Sequence, residues 1–141
     1  MYLSEPPDFR AKFEVVSCFV EYGGKFLLLL RQDHKSAPNM YGVPAGKVEE
    51  GETAPATMIR ELYEETWIKA QDIDYFDKVY VRYPDYDYVY HIFHLQLDSK
   101  PRITINPEEH KLYIWRNPIE SLGENLVWDQ DACVKMFYGL E

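Results

Sequence analysis

Residues 46–68, GKVEEGETAPATMIRELYEETWI, decide how the rest of the chain is read. Glu49, Glu50 and Glu52 crowd a stretch that also carries Gly46 and Gly51, which is loop composition. Thr53 is an N-cap residue, Pro55 is tolerated only in a first helical turn, and the residues onward to Thr66 are mostly good helix formers. The spacing therefore predicts a loop followed by a helix. At about 100° per residue, Ile59, Leu62 and Thr66 fall on one arc with Met58 and Tyr63 at its edges, an apolar side for a core. Glu61, Glu64 and Glu65 fall on the opposite arc. Carboxylates three or four positions apart cost a few tenths of a kcal/mol per pair, and those near the C-terminal end also oppose the helix dipole. Such a face is either solvated, with Arg60 reaching Glu64 or folding back to Glu52, or it holds a hard divalent cation such as Mg²⁺, which takes one or two carboxylates plus water and substrate phosphate. Spacing alone does not choose between the two.

The same stretch resembles the box of the Nudix hydrolase superfamily: Gly, five residues, Glu, seven residues, then Arg-Glu-apolar-any-Glu-Glu-any-Gly-apolar. Gly46, Glu52, Arg60, Glu61, Leu62, Glu64, Glu65 and Ile68 stand at the required spacings, and Trp67 stands where the family has Gly. A Gly there supplies left-handed backbone at no steric penalty, and a bulky residue costs about 1 kcal/mol or more. Trp67 is thus expected to change how the helix exits without removing a ligand.

The resemblance implies an α+β fold, the Nudix α/β/α sandwich with a mixed sheet between helices, and one domain over residues 1–141. It implies Mg²⁺ as the cofactor, with Mn²⁺ as an alternative, held by Glu61, Glu64 and Glu65 beside the backbone at Ala45 and Gly46. Glu61 is also the candidate for orienting or deprotonating water, and Arg60 would hold the loop carboxylate Glu52 in place. Several superfamily members take a further carboxylate a few residues before a Trp on the following strand; Glu109, six residues before Trp115, fits that place, with Glu108 as its rival. The implied reaction is hydrolysis of a diphosphate linkage in a nucleoside diphosphate joined to another group, X.

Composition sets limits around this. The length of 141 residues suits a single domain with a real core. A net charge of −9 disfavours a long nucleic acid, whose binding depends on Lys and Arg neutralising phosphates, but leaves open a small phosphorylated substrate whose charge metal ions offset. No apolar run approaches the roughly 20 residues of a membrane span, and the N-terminal residues lack a basic-then-apolar leader, so the expected location is cytoplasmic. Cys18 and Cys133 have no metal spacing and are expected to be buried thiols. A homodimer is an expectation taken from the family alone.

Residues 1–12, with Pro6 and Pro7, are expected to form a loose lead-in. Residues 13–22 and 25–31 alternate as two strands around the Gly23-Gly24 hairpin turn, with Leu27 to Leu30 buried on both faces. Arg31 ends the second strand and is a candidate phosphate ligand. Residues 40–45 predict a short strand into the box, and residues 73–83 and 86–97 a second strand pair. In the latter strand Val89, His91, Phe93 and Leu95 share one face and Tyr88, Tyr90, Ile92 and His94 the other, so it is expected to be central, and His91 and His94 point apart and are not a metal pair. Tyr83 and Tyr86, flanking the turn, are candidates for stacking on a nucleobase. Residues 100–106 and 111–116 suggest further strands, 119–122 a helical turn, and 128–138 a terminal helix packing Ala132, Cys133, Met136 and Phe137 on the sheet. No Ser/His/Asp or Cys/His arrangement stands out, so a covalent nucleophile is not expected. The competing functions are a catalytically silent nucleotide sensor of the same fold and an isoprenoid diphosphate isomerase; the second needs acid/base groups, often a Cys, and neither cysteine is expected to face the site.

Overall fold

The computed structural model describes residues 1–141. Strand β1 (Ala11–Tyr22) turns at Gly23 and Gly24, both at positive φ, into β2 (Lys25–Arg31). Tyr41–Gly42 (β3) and Ala45–Lys47 (β4) precede the helix α1 (Ala54–Thr66); then come β5 (Asp74–Arg82), β6 (Asp87–Gln96), β7 (His110–Arg116), the short α2 (Pro118–Ser121) and α3 (Gln130–Tyr138). The sheet runs β3-β2-β1-β6-β5, with β7 also paired to β2 and β4 to β1. β1 lies parallel to β6 and antiparallel to its other neighbours, so the sheet is mixed. Along its other edge β1 pairs first with β4, at Val15 to Ser17, and then with β2 at Glu21 and Tyr22. This shared edge sets β4, which carries the start of the box, beside the centre of the sheet.

Alternation along the strands fills two cores. Val16, Cys18, Val20, Leu27, Leu29 and Phe93 pack with Met58 and Leu62 of α1 on one face. Phe19, Phe26, Leu28 and Ile92 pack with Cys133 and Val134 of α3 on the other. Helix, sheet and helix are thus layered as expected, with β6 central. The two cysteines are free and buried on opposite faces.

Several expectations are corrected. The buried stripe of α1 is Thr57, Met58, Leu62, Glu65 and Thr66, while Ile59 is half-buried and Tyr63 exposed. The stripe is rotated toward the carboxylates because α1 packs on β4 as well as β1, and the helix buries what β4 can receive. Residues 101–106 form no strand: Ile103 and Ile105 pack on the α1-side core, and the Thr104 N–H donates to the Thr66 carbonyl at 3.1 Å, one of the acceptors a helix end leaves open. The predicted strand before the box is split into β3 and β4. Residues 1–10 are tied down, with Tyr2 and Tyr80 exchanging both backbone hydrogen bonds at 2.8 Å and Phe9 edge-on to Tyr80. The last helix starts at Gln130, because Asp129 has φ 64 and breaks it from Trp128.

The expectation that Trp67 changes the helix exit is also corrected, because Trp67 takes the left-handed backbone that a glycine there would supply. Its φ is 66 and ψ 13, and its N–H donates to the Tyr63 carbonyl, so the helix exits through a left-handed residue although no glycine is present. The indole is 60% exposed and meets only the Tyr63 ring, at 5.8 Å, among aromatic partners. A left-handed non-glycine costs about 1–2 kcal/mol, and the ring contact returns about 0.5–1 kcal/mol. Trp67→Gly should therefore stabilise the protein by about 0.5–1 kcal/mol, raising Tm by about 2–4 °C with turnover unchanged; a lower Tm would show that the indole packs more tightly than this.

Candidate active site

The site assembles where α1 crosses β4. Thr53 caps the helix by accepting from the Ala56 N–H at 3.2 Å, and Gly51, at φ 84, turns the preceding loop back so that Glu52 faces the helix. Glu52 accepts from Arg60 Nε at 2.8 Å and Nη2 at 2.9 Å, from Thr57 Oγ1 at 3.0 Å and from the Glu49 N–H at 3.1 Å. This two-pronged pair with Arg60 pulls the Glu52 carboxyl down to about 2, with the Thr57 and Glu49 donors assisting. The other guanidinium nitrogen, Nη1, donates to Glu61 at 3.1 Å and to Glu64 at 3.1 Å. One arginine thus ties the loop to the helix and holds two helix carboxylates in register.

A carboxyl whose folded pKa is depressed stabilises the fold above its unfolded pKa and loses that contribution as pH falls through the folded value. For Glu52 the window runs from 4.5 to about 2. The Tm gap between wild type and Glu52→Gln should therefore be full at pH 7 and close progressively below pH 4.5, as thermal melts across that range would read.

Glu61 and Glu65 lie inward of this pair. The Glu61 side chain lies directly over Gly46: a Cβ built on that glycine would stand 2.6 Å from Glu61 Cγ and closer still to the carboxyl. Glu65 is 4% exposed and accepts from the Ala45 N–H at 3.2 Å. Burial pushes the Glu65 carboxyl well up, and the neighbouring Glu61 and Glu109 charges push it further. Burial also raises Glu61, opposed by Arg60 and reinforced by Glu64 and Glu109. The structure brings Gly46, Glu52, Arg60, Glu61, Glu64, Glu65 and Glu109 to one place. Glu64 is its outermost member, its side chain 51% exposed, and Glu109 of the 107–109 turn is half-exposed with Lys35 Nζ at 3.8 Å. Glu108 is exposed, and its N–H donates to Asn106 Oδ1 at 3.1 Å.

Oxygen donors of Glu65 and Glu109 and a ring nitrogen of His110 lie within 4.8 Å of one another. His110 is 5% exposed, its Nδ1 has no hydrogen-bond partner, and burial lowers its pKa to about 4. Concentrated carboxylates that disfavour their own ionisation, beside an unpartnered imidazole, suit a divalent cation, whose charge would remove the penalty.

Glu65, His110, Ala45 and Arg31 line one part of a cavity of about 190 Å³ that continues between the sheet and α3 past Val79, Val81, Tyr88, Tyr90 and Cys133. Arg31 is steadied by the Ser36 carbonyl and hydroxyl. Trp128, 76% exposed, Asp129 and Gln130 complete the wall. Gln130 Oε1 accepts from the Val43 N–H at 3.1 Å, and since that N–H can only donate, the amide orientation is fixed with Nε2 buried and unpartnered. Tyr83 and Tyr86 do not reach this cavity; they pack with Tyr88 and Phe13 and line a separate open groove with Arg10 and Arg82. His91 is held by Glu14 and Tyr75 and His94 lies beside Glu21, so neither faces the site.

Sequence reasoning missed His110, Tyr88, Tyr90, Asp129 and Gln130. The signal for His110 was its place next to Glu109 at the head of a strand. For Gln130 it was a polar side chain on the sheet-facing side of a terminal helix.

A signature of the NUDIX domain matches residues 11–135. The chain is 31% identical over 111 residues to the CTP pyrophosphohydrolase of Escherichia coli (strain K12), covering 77% of this chain and 78% of that protein. Among solved structures, the MutT protein from Methanosarcina mazei Go1 superposes with TM-score 0.79 at 22% identity, covering 95% of this chain and 97% of that one. The NUDIX domain of Shewanella oneidensis NrtR, complexed with ADP ribose, gives 0.76 at 21%, covering 96% and 92%.

Proposed function

Because this chain belongs to the Nudix family of hydrolases, we propose that it cleaves, with Mg²⁺ or alternatively Mn²⁺, a diphosphate linkage in a small nucleoside diphosphate derivative whose base enters the cavity beside Gln130. The observation that carries this reading is the continuity of the buried carboxylate cluster with that cavity through Glu65 and His110. A bound divalent ion polarises a phosphoryl oxygen and lowers the pKa of a bound water. Glu61, Glu64, Glu65 and Glu109 with the backbone at Gly46 would hold that ion. Glu61, wedged on Gly46, orients the attacking water. Arg60 keeps Glu52, Glu61 and Glu64 in fixed relation, and Arg31 offsets phosphate charge.

The cavity is smaller than the roughly 300–1,000 Å³ of pockets that engulf whole ligands. It therefore takes a base and leaves ribose and phosphates to run out toward Arg31 and the carboxylates. There the Gln130 amide donates to a ring acceptor, Asp129 accepts from an exocyclic amine, and Trp128 offers an aromatic face. Cytosine has an amine beside acceptors, which agrees with the CTP pyrophosphohydrolase relative, and adenine has the same pattern, in keeping with the ADP-ribose-bound neighbour. The net charge of −9 speaks for a small substrate rather than a long nucleic acid. No helix is long and apolar enough to cross a membrane; a cytoplasmic homodimer is the proposed working form.

The test is hydrolysis of a nucleotide panel, including CTP and ADP-ribose, in ¹⁸O-water with Mg²⁺. Label is expected on one phosphorus of a cleaved anhydride. Thermal stabilisation by a nucleotide with no turnover across the panel would replace this reading with that of a silent sensor.

A further inference from the structure

His110 is the one buried side chain beside the acidic cluster that hydrolysis by carboxylates alone does not explain. It opens β7, where the pairing with β2 slips by a residue between Leu30 and Arg31, an irregularity of the kind that re-aims side chains beside active sites. Its backbone is held on both sides, with the N–H donating to the Asn106 carbonyl at 2.9 Å and the carbonyl accepting from Gln32 Nε2 at 3.4 Å. The ring is thereby fixed within 4.8 Å of the Glu65 and Glu109 oxygens. An imidazole kept only for packing has its ring nitrogens satisfied by neighbours, because a buried unpaired polar atom costs about 1–3 kcal/mol. Nδ1 of His110 has no such partner, and the ring lines the cavity.

We propose that His110 contributes a nitrogen ligand to the divalent-ion site formed with Glu65 and Glu109, so that the site prefers a first-row transition ion, Co²⁺ most and Mn²⁺ to a lesser degree, to Mg²⁺. Mg²⁺ demands oxygen donors in near-ideal octahedral geometry, whereas imidazole suits later first-row ions. The Lys35 contact to Glu109 does not compete strongly, being 3.8 Å long and half-exposed. The inference rests on the reading that this cluster holds the hydrolytic ion, and it narrows which ion that is.

Pulsed electron paramagnetic resonance of the Mn²⁺-loaded wild type should show coupling to a directly bound ¹⁴N. The coupling should vanish in His110→Gln and persist in His34→Gln. Calorimetry should find Mn²⁺ bound at least about 10-fold more weakly by His110→Gln, with Mg²⁺ affinity changed less. Because the wild-type spectrum stands alone, an unfolded variant does not spoil the test. A wild type that hydrolyses nucleotides but shows no nitrogen coupling, or that binds no Mn²⁺, overturns the inference. Coupling in a protein that hydrolyses nothing on the panel would uphold the ligand and sink the proposed function instead.

Discussion

Glu65→Gln should make the metal-free protein more stable while lowering turnover at least about 100-fold, more than loss of an outer partner of a metal ligand typically costs. Glu65 is 4% exposed with Glu61 and Glu109 nearby, so its charged form is disfavoured by burial and by both neighbours. Gln retains an oxygen for the Ala45 N–H and removes the charge. The expected gain is about 1 kcal/mol, or about 4 °C in Tm. The sign with pH follows from a folded pKa raised above the unfolded one. The native protein carries the penalty when the carboxyl must ionise, so the advantage of the variant is largest at alkaline pH and shrinks as pH falls toward the usual carboxylate range. Saturating Mn²⁺ or Mg²⁺ should reverse the order, because the ion stabilises wild type and has lost a ligand in the variant. Melts at pH 8 with chelator and then with metal would read both halves. A variant less stable without metal would mean that Glu65 is held by favourable contacts and is not a charge waiting for an ion.

Gly46→Ala should cost about 100-fold in kcat with Tm within about 2 °C of wild type. The added Cβ collides with the Glu61 side chain, 2.6 Å from Cγ. What it meets is the flexible end of a glutamate, so the collision is relieved by swinging Glu61 away and not by moving β4. A displacement of about 1 Å in a group that orients a reactant is enough for a 10²-fold loss. Activity near wild type would remove Glu61 from the orienting role; a large drop in Tm would mean that the strand moves instead.

Much of this architecture was legible because its signals are local. Gly23-Gly24 between alternating strands, Thr53 and Pro55 at the head of α1, and two-sided burial over Leu27 to Leu30, met at Leu27, Leu28 and Leu29 while Leu30 is half-buried, each follow from backbone sterics or period. The spacing of Gly46, Glu52, Arg60 and Glu61 was likewise readable, since helix geometry places Arg60 and Glu64 one turn apart wherever the helix packs. The burial of Glu65 was not, because hydrophobic periodicity assigns every carboxylate to solvent. That rule fails where a helix leans on a strand whose N–H needs an acceptor. Residues 101–106 alternate like a strand, yet Ile103 and Ile105 pack half-buried on the core without a ladder.

From the sequence alone came the loop and helix of residues 46–68 and the spacing of their carboxylates and of Arg60, because each depends on one segment; the layered mixed sheet was implied by the resemblance that this segment carries. Only the folded chain decided which carboxylate is buried, that His110 joins Glu65 and Glu109, and that Tyr88, Tyr90 and Gln130 rather than Tyr83 and Tyr86 wall the cavity. Those outcomes hang on the register of β7 against β2 and on where α3 begins. They bring together residues dozens of positions apart, and no local preference encodes such a meeting.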